Sequence, residues 1–151
     1  MDDLRELYQD TILAHNKKPR NFRVLTDANH EADGHNPLCG DEFTLYARVS
    51  DDGHVEEVTF QGTGCAISRA SASLMTDFVK GKTLDEVQDD FDRFHRLVTS
   101  PPGAPPEIDE LGKLVVFAGV REFPMRVKCA TLAWHALRAA LDDESQIAKT
   151  E

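Results

Sequence analysis

The stretch that decides the fold covers residues 58–81 and reads Val-Thr-Phe-Gln-Gly-Thr-Gly-Cys-Ala-Ile-Ser-Arg-Ala-Ser-Ala-Ser-Leu-Met-Thr-Asp-Phe-Val-Lys-Gly. A short β-prone run ends in a Gly-Thr-Gly turn, and Cys65 follows at once. The residues after it carry a helical period whose apolar face comprises Ile67, Ala70, Leu74, Met75 and Phe78. Gly81 is a natural stop, because glycine adopts the left-handed conformation that closes many helices. The stretch therefore predicts a strand, a tight turn and a helix.

Cys65 is thereby predicted at or near the N-terminus of this helix. The unpaired backbone N–H groups and the helix dipole favour negative charge there, so its thiolate forms more easily than that of a cysteine in free solution. The alternative is a small buried cysteine that packs beneath the turn, since free cysteine is among the most buried residue types. The stretch alone leaves both interpretations open.

The composition is that of an ordinary globular protein, with 151 residues of which 40% are hydrophobic and 29% charged. This length predicts a single domain over 1–151 that is able to bury a core. The net charge of −10 argues against a nucleic-acid partner, because affinity for phosphates comes largely from Lys and Arg.

The N-terminus, Met-Asp-Asp-Leu-Arg-Glu, has neither the basic start nor the apolar run of a signal peptide, and no run of about 18 apolar residues occurs. We therefore expect a cytoplasmic protein with no membrane partner. Three cysteines, an odd number spaced far apart, make structural disulfides improbable in a reducing compartment. Metal binding or thiol chemistry is the better explanation for them.

The first half of the chain predicts a helix followed by a small antiparallel sheet. The first helix ends before Pro19, and its apolar positions are Leu4, Leu7, Tyr8, Ile12 and Leu13. Residues 29–36 are predicted to form an edge strand. Alternating apolar residues over 43–49 and a return strand over 55–61 flank the hairpin turn Asp51-Asp52-Gly53. The predicted class is α+β, with about three antiparallel strands and helices packed on them.

The second half predicts helices. Thr83 and Glu86 form a capping box at the start of a helix whose apolar positions are Val87, Phe91, Phe94 and Val98. The proline-rich segment 100–106 is predicted to be a surface loop. A further short helix is predicted from Ile108, Leu111, Leu114, Val115 and Ala118. Pro124 begins a last helix with Ala130, Ala133, Trp134, Leu137 and Leu141 on its apolar face. The polar tail over 142–151 is expected to fray.

The cysteines and one aspartate form a candidate metal site. Cys39 and Asp41 are two residues apart, so in an extended chain they point the same way. Cys65 follows the hairpin, Cys129 lies near the start of the last helix, and strand ends and helix starts can meet at one edge of such a fold. Three sulfurs and a carboxylate suit tetrahedral zinc, and thiolates also suit iron. Without paired Cys-x-x-Cys motifs, however, the spacing alone leaves a shared site open.

Four blocks of sequence resemble the IscU/SufU family of iron–sulfur cluster assembly proteins. They are Asn-Pro-Leu-Cys-Gly-Asp at 36–41, Gly-Thr-Gly-Cys-Ala-Ile-Ser-Arg-Ala-Ser-Ala-Ser at 62–73, Val-Lys-Gly-Lys-Thr-Leu-Asp-Glu at 79–86 and Arg-Val-Lys-Cys-Ala-Thr-Leu-Ala-Trp at 126–134. The resemblance covers nearly the whole chain, including Leu-Tyr-Gln-Asp-Thr-Ile-Leu-Ala-His at 7–15. It implies the IscU- and SufE-like fold, a small antiparallel sheet with helices packed on it.

Two features resemble the zinc-binding SufU branch more than the scaffold branch. Lys128 stands where scaffold proteins typically carry a histidine, and the stretch around 100–119 resembles the SufU insertion. By that resemblance, zinc is held by Cys39, Asp41, Cys65 and Cys129, and the protein accepts persulfide sulfur from a cysteine desulfurase for downstream iron–sulfur assembly proteins. It would then be a sulfurtransferase-like accessory protein without independent turnover.

A mechanism follows from this resemblance as a hypothesis. A closed four-ligand zinc site offers no open position, so one thiolate must leave the metal to take sulfur. Cys39, flanked by Pro37 and Gly40, moves at least cost and is the predicted acceptor. Arg126 could stabilise the Cys129 thiolate from one helical turn away, or it could simply be a solvated side chain. His35 is near Cys39 in sequence but is not expected to be a ligand.

Other functions remain possible at this stage. The same four residues could build a transient 2Fe–2S cluster in a scaffold protein. A structural zinc domain with only an interaction role is a third possibility, and a thiol redox enzyme is disfavoured because no Cys-x-x-Cys pair is present. The serines of the central stretch, Ser68, Ser71 and Ser73, are expected to be packing residues.

Overall fold

The fold is a twisted sheet with helices packed against one of its faces. The computed structural model describes residues 2–36, 40–101, 111–142 and 147–149, with the backbone alone for 2–8 and 147–149. In chain order the elements are α1 (Asp2–Lys17), β1 (His30–Asn36), β2 (Asp41–Val49), β3 (Val55–Thr63), α2 (Ala66–Val79), α3 (Leu84–Thr99), a 3-10 helix (Gly112–Val120), α4 (Pro124–Asp142) and β4 (Ile147–Lys149).

The described strands lie in the order β3-β2-β1-β4. β1, β2 and β3 pair antiparallel, which confirms the predicted α+β class and its three-stranded antiparallel sheet. β4 pairs parallel to β1, so residues 147–149 of the tail that we expected to fray form a short strand. β1 therefore has a neighbour on each side, and the prediction that it is an edge strand is wrong. That the chain is one domain with an insertion around 100–119 stays a prediction, because residues 102–110 lie outside the described part.

Side-chain alternation along β2 sets the position of the core. Phe43, Leu45 and Ala47 are buried beneath the helices, whereas the residues between them are partly exposed. α4 lies so close to β1 that a Cβ atom at Gly34 would come within 2.9 Å of the Ala136 Cβ. This close approach fixes α4, and with it Cys129, against the sheet.

The deepest part of the core is aromatic. Trp134 of α4 is 1% exposed and stacks on Phe94 of α3, with ring centroids 5.1 Å apart. Phe94 in turn meets Phe117 of the 3-10 helix edge to face at 5.7 Å. Ring pairs in these geometries add about 0.5–1.5 kcal/mol each beyond the apolar area that they bury. α3, the 3-10 helix and α4 are thereby locked together.

Several local predictions are confirmed. α2 begins directly after Cys65, and Gly81 beyond its end has a φ of +85°. Thr83 and Glu86 make both hydrogen bonds of the capping box: the Thr83 N–H donates to Glu86 Oε1 at 3.0 Å, and the Glu86 N–H donates to Thr83 Oγ1 at 3.2 Å. Pro124 occupies the first position of α4. These features depend on short-range chemistry, which a sequence carries directly.

Two local predictions need correction. Leu13 was placed on the apolar face of α1, yet it is 56% exposed, whereas the neighbouring Ile12 packs on the core. The helix predicted from Ile108 is, in its described part, a 3-10 helix that begins at Gly112, and Ile108 lies outside the described residues. Its residues from Leu114 to Ala118 are all buried, so no single apolar face exists for a helical period to reveal. Packing among α1, α2, α3 and α4 determines its conformation.

None of the helices in the described ranges combines the length and the hydropathy that crossing a lipid bilayer requires.

Gly62→Ala should destabilise the protein more than Gly53→Ala. Both glycines have positive φ, at +134° and +84°, but a Cβ at Gly62 would lie 2.0 Å from the Glu42 carbonyl oxygen, whereas a Cβ at Gly53 would meet nothing within 4 Å. We expect Gly62→Ala to cost at least about 2 kcal/mol more than Gly53→Ala. Urea unfolding of both variants in a metal chelator measures the difference, and equal midpoints would contradict it.

Candidate metal centre

Cys65 is the N-cap residue of α2, as the sequence predicts. Its backbone is extended, and its Sγ accepts a hydrogen bond from the Ser68 N–H at 3.4 Å. Gly64 makes this turn possible, because a Cβ there would lie 2.7 Å from the Phe43 ring and 3.1 Å from Asp41 Oδ1. The glycine therefore allows Cys65 and Asp41 to approach each other.

Asp41 connects the start of β2 to the start of α2. Its carboxylate is buried and accepts two hydrogen bonds, from the Cys65 N–H at 3.0 Å and from the Ser68 hydroxyl at 2.6 Å. Oδ2 also lies 4.0 Å from Cys65 Sγ. The partial positive charge of a helix N-terminus favours a carboxylate in this position.

Cys129 comes to the same point from α4. It is buried, and one ligand atom from each of Asp41, Cys65 and Cys129 lies within 4.8 Å of the other two. The amide Nδ2 of Asn36 approaches Cys129 Sγ at 3.9 Å. Asn36 pairs with Asp41 across the β1–β2 hairpin and is completely buried. The structure therefore brings together three of the four ligands that the resemblance implied.

The two thiols share one proton. The Cys129 thiol donates a hydrogen bond that, with the hydrogen bond from the Ser68 N–H, lowers the pKa of Cys65 to about 6, although burial and the Asp41 charge act against this shift. The same hydrogen bond, together with burial and the nearby Asp41 carboxylate, raises the pKa of Cys129 well above its usual range. At neutral pH the metal-free centre therefore contains a Cys65 thiolate beside a Cys129 thiol.

Three other residues were considered for the site from the sequence: Cys39, Arg126 and His35. Cys39 lies outside the described residues, between Asn36 and Gly40, so its place at the site stays a prediction. Arg126 is exposed and places its guanidinium over the Phe123 ring at 4.4 Å, and its role toward the thiolates also stays a prediction. His35 pairs with Glu42 at 3.6 Å on the partly exposed face of the sheet, opposite the face on which Asn36 and Asp41 are buried.

Sequence reasoning missed two residues that touch the ligands. Ser68 was expected to pack, yet it bonds Asp41 and lies 3.3 Å from Cys65 Sγ. Its position three residues after an N-cap was the available signal, because the N-cap and N3 side chains of a helix commonly interact. Asn36 had no comparable signal, since its contact with Cys129 spans 93 residues of chain.

The family model for the NifU-like N terminal domain matches residues 7–130 of the chain. The chain belongs to this NifU-like family. The match covers Asp41, Cys65 and Cys129.

Two relatives of this NifU-like domain have similar sequences over nearly their whole length. The iron–sulfur cluster assembly scaffold protein IscU of Streptococcus pyogenes is 38% identical over 141 residues, which are 93% of this chain and 86% of the relative. The zinc-dependent sulfurtransferase SufU of Bacillus subtilis is 39% identical over 145 residues, 94% of each chain. Membership of the IscU/SufU family, which the sequence blocks predicted, is confirmed.

A solved structure shares the fold. The crystal structure of an iron–sulfur cluster assembly scaffold protein for the SUF system from Fervidobacterium islandicum superimposes with a TM-score of 0.79 at 33% identity. The superposition covers 87% of this chain and 94% of that one.

The donor set of this NifU-like domain fits a transition-metal ion. Two sulfurs and a carboxylate oxygen converge on one point, and thiolate donors select zinc or iron over magnesium or calcium. The carboxylate is already oriented by Ser68 and the Cys65 N–H, as metal-ligating carboxylates usually are.

Ser68→Ala should weaken zinc binding by about 10- to 100-fold, because the hydroxyl orients the Asp41 carboxylate. Competition with a chromogenic chelator measures the affinity. Ser73→Ala is the matched control at another buried serine of α2, since Ser73 bonds His15 and the Arg20 N–H instead of the ligands. Equal zinc affinities for the two variants would refute the role of Ser68.

The reactivity of Cys65 should depend on pH in the metal-free protein. Because its pKa is lowered to about 6, the thiolate fraction rises as the pH increases through that value, and alkylation by iodoacetamide should be half-maximal near it. Cys129→Ala removes the hydrogen-bond donor and should move the midpoint upward, toward the ordinary value for cysteine. Peptide mapping by mass spectrometry separates Cys65 from Cys39, and an unchanged midpoint in the variant would contradict the shared proton.

Proposed function

We propose that this protein acts in iron–sulfur cluster assembly as a zinc-dependent acceptor of persulfide sulfur from a cysteine desulfurase. The observation that carries the proposal is the convergence of Asp41, Cys65 and Cys129 within 4.8 Å in a chain 39% identical to the zinc-dependent sulfurtransferase SufU. Donors of this kind that converge from three separate elements are typical of a metal site. The function of such a site in sulfur transfer is inferred from the name of the relative.

Cys39 is the proposed fourth ligand and the sulfur acceptor. It is two residues from Asp41 along the chain, and with it the set becomes three sulfurs and one carboxylate, which suits tetrahedral zinc. A bound zinc ion would hold the thiolates in their deprotonated form at neutral pH. Gly40 beside it is exposed, and a Cβ added there would meet nothing within 4 Å, so a partner protein has access to this end of the hairpin.

The proposed transfer step is a thiol exchange. The Cys39 thiolate attacks the terminal sulfur of a persulfide on the desulfurase cysteine, and a new sulfur–sulfur bond forms. The bond between the terminal sulfur and the desulfurase cysteine breaks, and its electron pair leaves with that cysteine as a thiolate. No net oxidation or reduction occurs, so the step requires no further oxidant.

The proposed partners are therefore a cysteine desulfurase and the downstream iron–sulfur assembly proteins that receive the sulfur. The mechanism needs reduced thiolates, which a reducing compartment maintains. We accordingly propose that the protein works in the cytoplasm.

The second candidate function is that of a scaffold on which a transient 2Fe–2S cluster is built. It is favoured by the 38% identity to the scaffold protein IscU, and the same cysteines are suitable ligands for iron. The two functions differ in the species that the protein holds when it is isolated without added metal.

The purified protein should contain about one zinc per chain and be colourless when prepared anaerobically without added metal. Asp41→Asn, Cys65→Ser and Cys129→Ser should each lower the zinc content, because each removes a ligand. Asp33→Asn, which changes an exposed carboxylate on the same hairpin, is the matched control and should retain zinc. A brown protein with iron and sulfide in place of zinc would favour the scaffold.

Cys39→Ser should reduce sulfur transfer from a desulfurase supplied with labelled cysteine to the level seen without this protein. The labelled persulfide is located by mass spectrometry in the wild-type chain, where it should be on Cys39. If the Cys39→Ser variant accepted sulfur at the wild-type rate, the acceptor assignment would be wrong. If the wild-type protein contained zinc but did not stimulate the desulfurase, a structural zinc domain would be the better description.

A further inference from the structure

A group of basic side chains lies around the loop that follows α1. Lys17 ends the helix, Lys18 and Arg20 follow it, and Arg69 comes from α2. We call this region the basic loop surface and define it by these four residues together with Phe22 and Val24. Arg69 is one helical turn beyond Cys65 on α2, so the surface begins one turn from the metal centre and includes none of its proposed ligands.

The loop is held in one conformation by hydrogen bonds to its neighbours. The Arg20 N–H donates to Ser73 Oγ at 2.8 Å, and Asn21 Nδ2 donates to Thr76 Oγ1 at 3.0 Å, so α2 fixes the loop from one side. The Asn21 carbonyl accepts a hydrogen bond from the Phe60 N–H of β3 at 3.0 Å. Of the described non-glycine residues, Asn21 alone has a positive φ, at +59°. A loop fixed in this way loses little conformational entropy when a partner binds to it.

The cations of this surface outnumber its carboxylates. Arg20 pairs with Asp77 at 2.6 Å. Lys17, Lys18 and Arg69 form no ion pair with any residue that the structure describes. Four cations thus stand against one carboxylate, and three of the four charges are uncompensated.

His15, which lies beneath the loop, is subject to the same excess of positive charge. Burial lowers its pKa, and the charges of Arg20 and Lys113 lower it further, whereas Asp77 acts in the opposite direction. The imidazole is therefore neutral at pH 7. It adds no charge of its own to the surface, and the two cations near it outweigh the one carboxylate.

The positive charge is confined to this short region. Arg23, the next cation along the loop, is paired with Glu57 and adds no net charge. Asp10 is the nearest carboxylate before Lys17 on α1, two helical turns and about 10 Å away along the axis. The whole chain carries a net charge of −10. A long polyanion such as a nucleic acid would extend from this region onto acidic surface, whereas a short acidic segment would not.

Exposed apolar side chains accompany the cations. The Phe22 ring packs edge to face on Phe60 with centroids 5.2 Å apart, yet Phe22 is 40% exposed. The Arg69 guanidinium lies over the same ring at 5.5 Å, and the buried Arg69 Nε has no acceptor among the described residues. Arg69 is thus held against a ring and not by a carboxylate, which leaves its charge available to a partner. Val24, two residues beyond Phe22, is 46% exposed.

We propose that the basic loop surface is a docking site for a partner protein that presents a short acidic segment containing an apolar side chain. The carboxylates of the segment pair with Lys17, Lys18 and Arg69, and its apolar side chain packs on Phe22 and Val24. Complementary charge of this kind steers the encounter and sets the orientation of the partner. Because Arg69 follows Cys65 by one turn, a partner docked here lies beside the metal centre.

A model peptide tests the chemistry of the site. The full-length, zinc-loaded protein is titrated with the blocked hexapeptide Asp-Glu-Leu-Phe-Asp-Glu and followed by nitrogen-15 NMR. The backbone amide signals of Lys18, Phe22 and Arg69 should shift in a saturable way. The neutral analogue Asn-Gln-Leu-Phe-Asn-Gln should bind at least about tenfold more weakly, because several exposed ion pairs act together. Raising the salt concentration should weaken binding of the acidic peptide by about threefold or more.

Variants test where the peptide binds. Lys18→Gln and Arg69→Gln should each weaken binding about two- to fivefold, and the double variant about tenfold. Val24→Ser should also weaken binding about two- to fivefold, through loss of apolar contact. Arg96→Gln is the matched control, since Arg96 is an exposed cation on α3 and lies outside this surface, and it should leave the affinity unchanged. Circular dichroism establishes that each variant is folded.

Four outcomes would overturn the proposal. They are the absence of saturable shifts at millimolar peptide, equal affinity for the acidic and the neutral peptide, unchanged affinity in the double variant, and a response of the same amides to a DNA duplex or to phosphatidylglycerol vesicles but not to the acidic peptide. None of the substituted residues is a proposed zinc ligand. Zinc content and sulfur transfer are measured separately, so this proposal and the proposed function fail or succeed independently.

Discussion

The metal centre depends on the contact between the Asp41 carboxylate and the first turn of α2. One carboxylate oxygen binds the Cys65 N–H and the other binds the Ser68 hydroxyl, so the strand that begins at Asp41 and the helix that begins after Cys65 share one buried group. A buried carboxylate without such partners would cost several kcal/mol in lost solvation. The interaction therefore places two potential ligands and also stabilises the junction of sheet and helix.

This arrangement has electrostatic consequences. Asp41, Cys65 and Cys129 are potential anions within 4.8 Å of each other, and three full charges so close together would repel strongly. The protein reduces the repulsion by keeping a proton on Cys129, which then donates to the Cys65 thiolate. A divalent cation would take over the role of that proton. The same polar contacts that stabilise the metal-free centre thus prepare it for a metal.

α4 connects the metal centre to the aromatic core. Its early turns carry Cys129 against the sheet, and its later turns carry Trp134 against α3. Gly34 allows the helix to lie directly on β1, and the stack of Trp134 on Phe94 fixes it against α3. A helix held at both faces keeps the Cys129 and Trp134 side chains in place.

The sequence by itself determined the features that depend on neighbouring residues. The strand, turn and helix of residues 58–81, the hairpin at Gly53, the capping box at Thr83 and the start of α4 at Pro124 all follow from local periodicity, backbone preferences and capping chemistry. The metal ligands were a different case: the spacing left a shared site open, and the resemblance to IscU and SufU proteins named them.

Only the tertiary structure decided which distant residues meet. It brought Asp41, Cys65 and Cys129 together, gave Ser68 and Asn36 their contacts with the ligands, exposed Leu13 and buried the 3-10 helix on nearly all sides. The physical reason is that these contacts join segments up to 93 residues apart, and their energies come from packing and desolvation, which no short window of sequence contains.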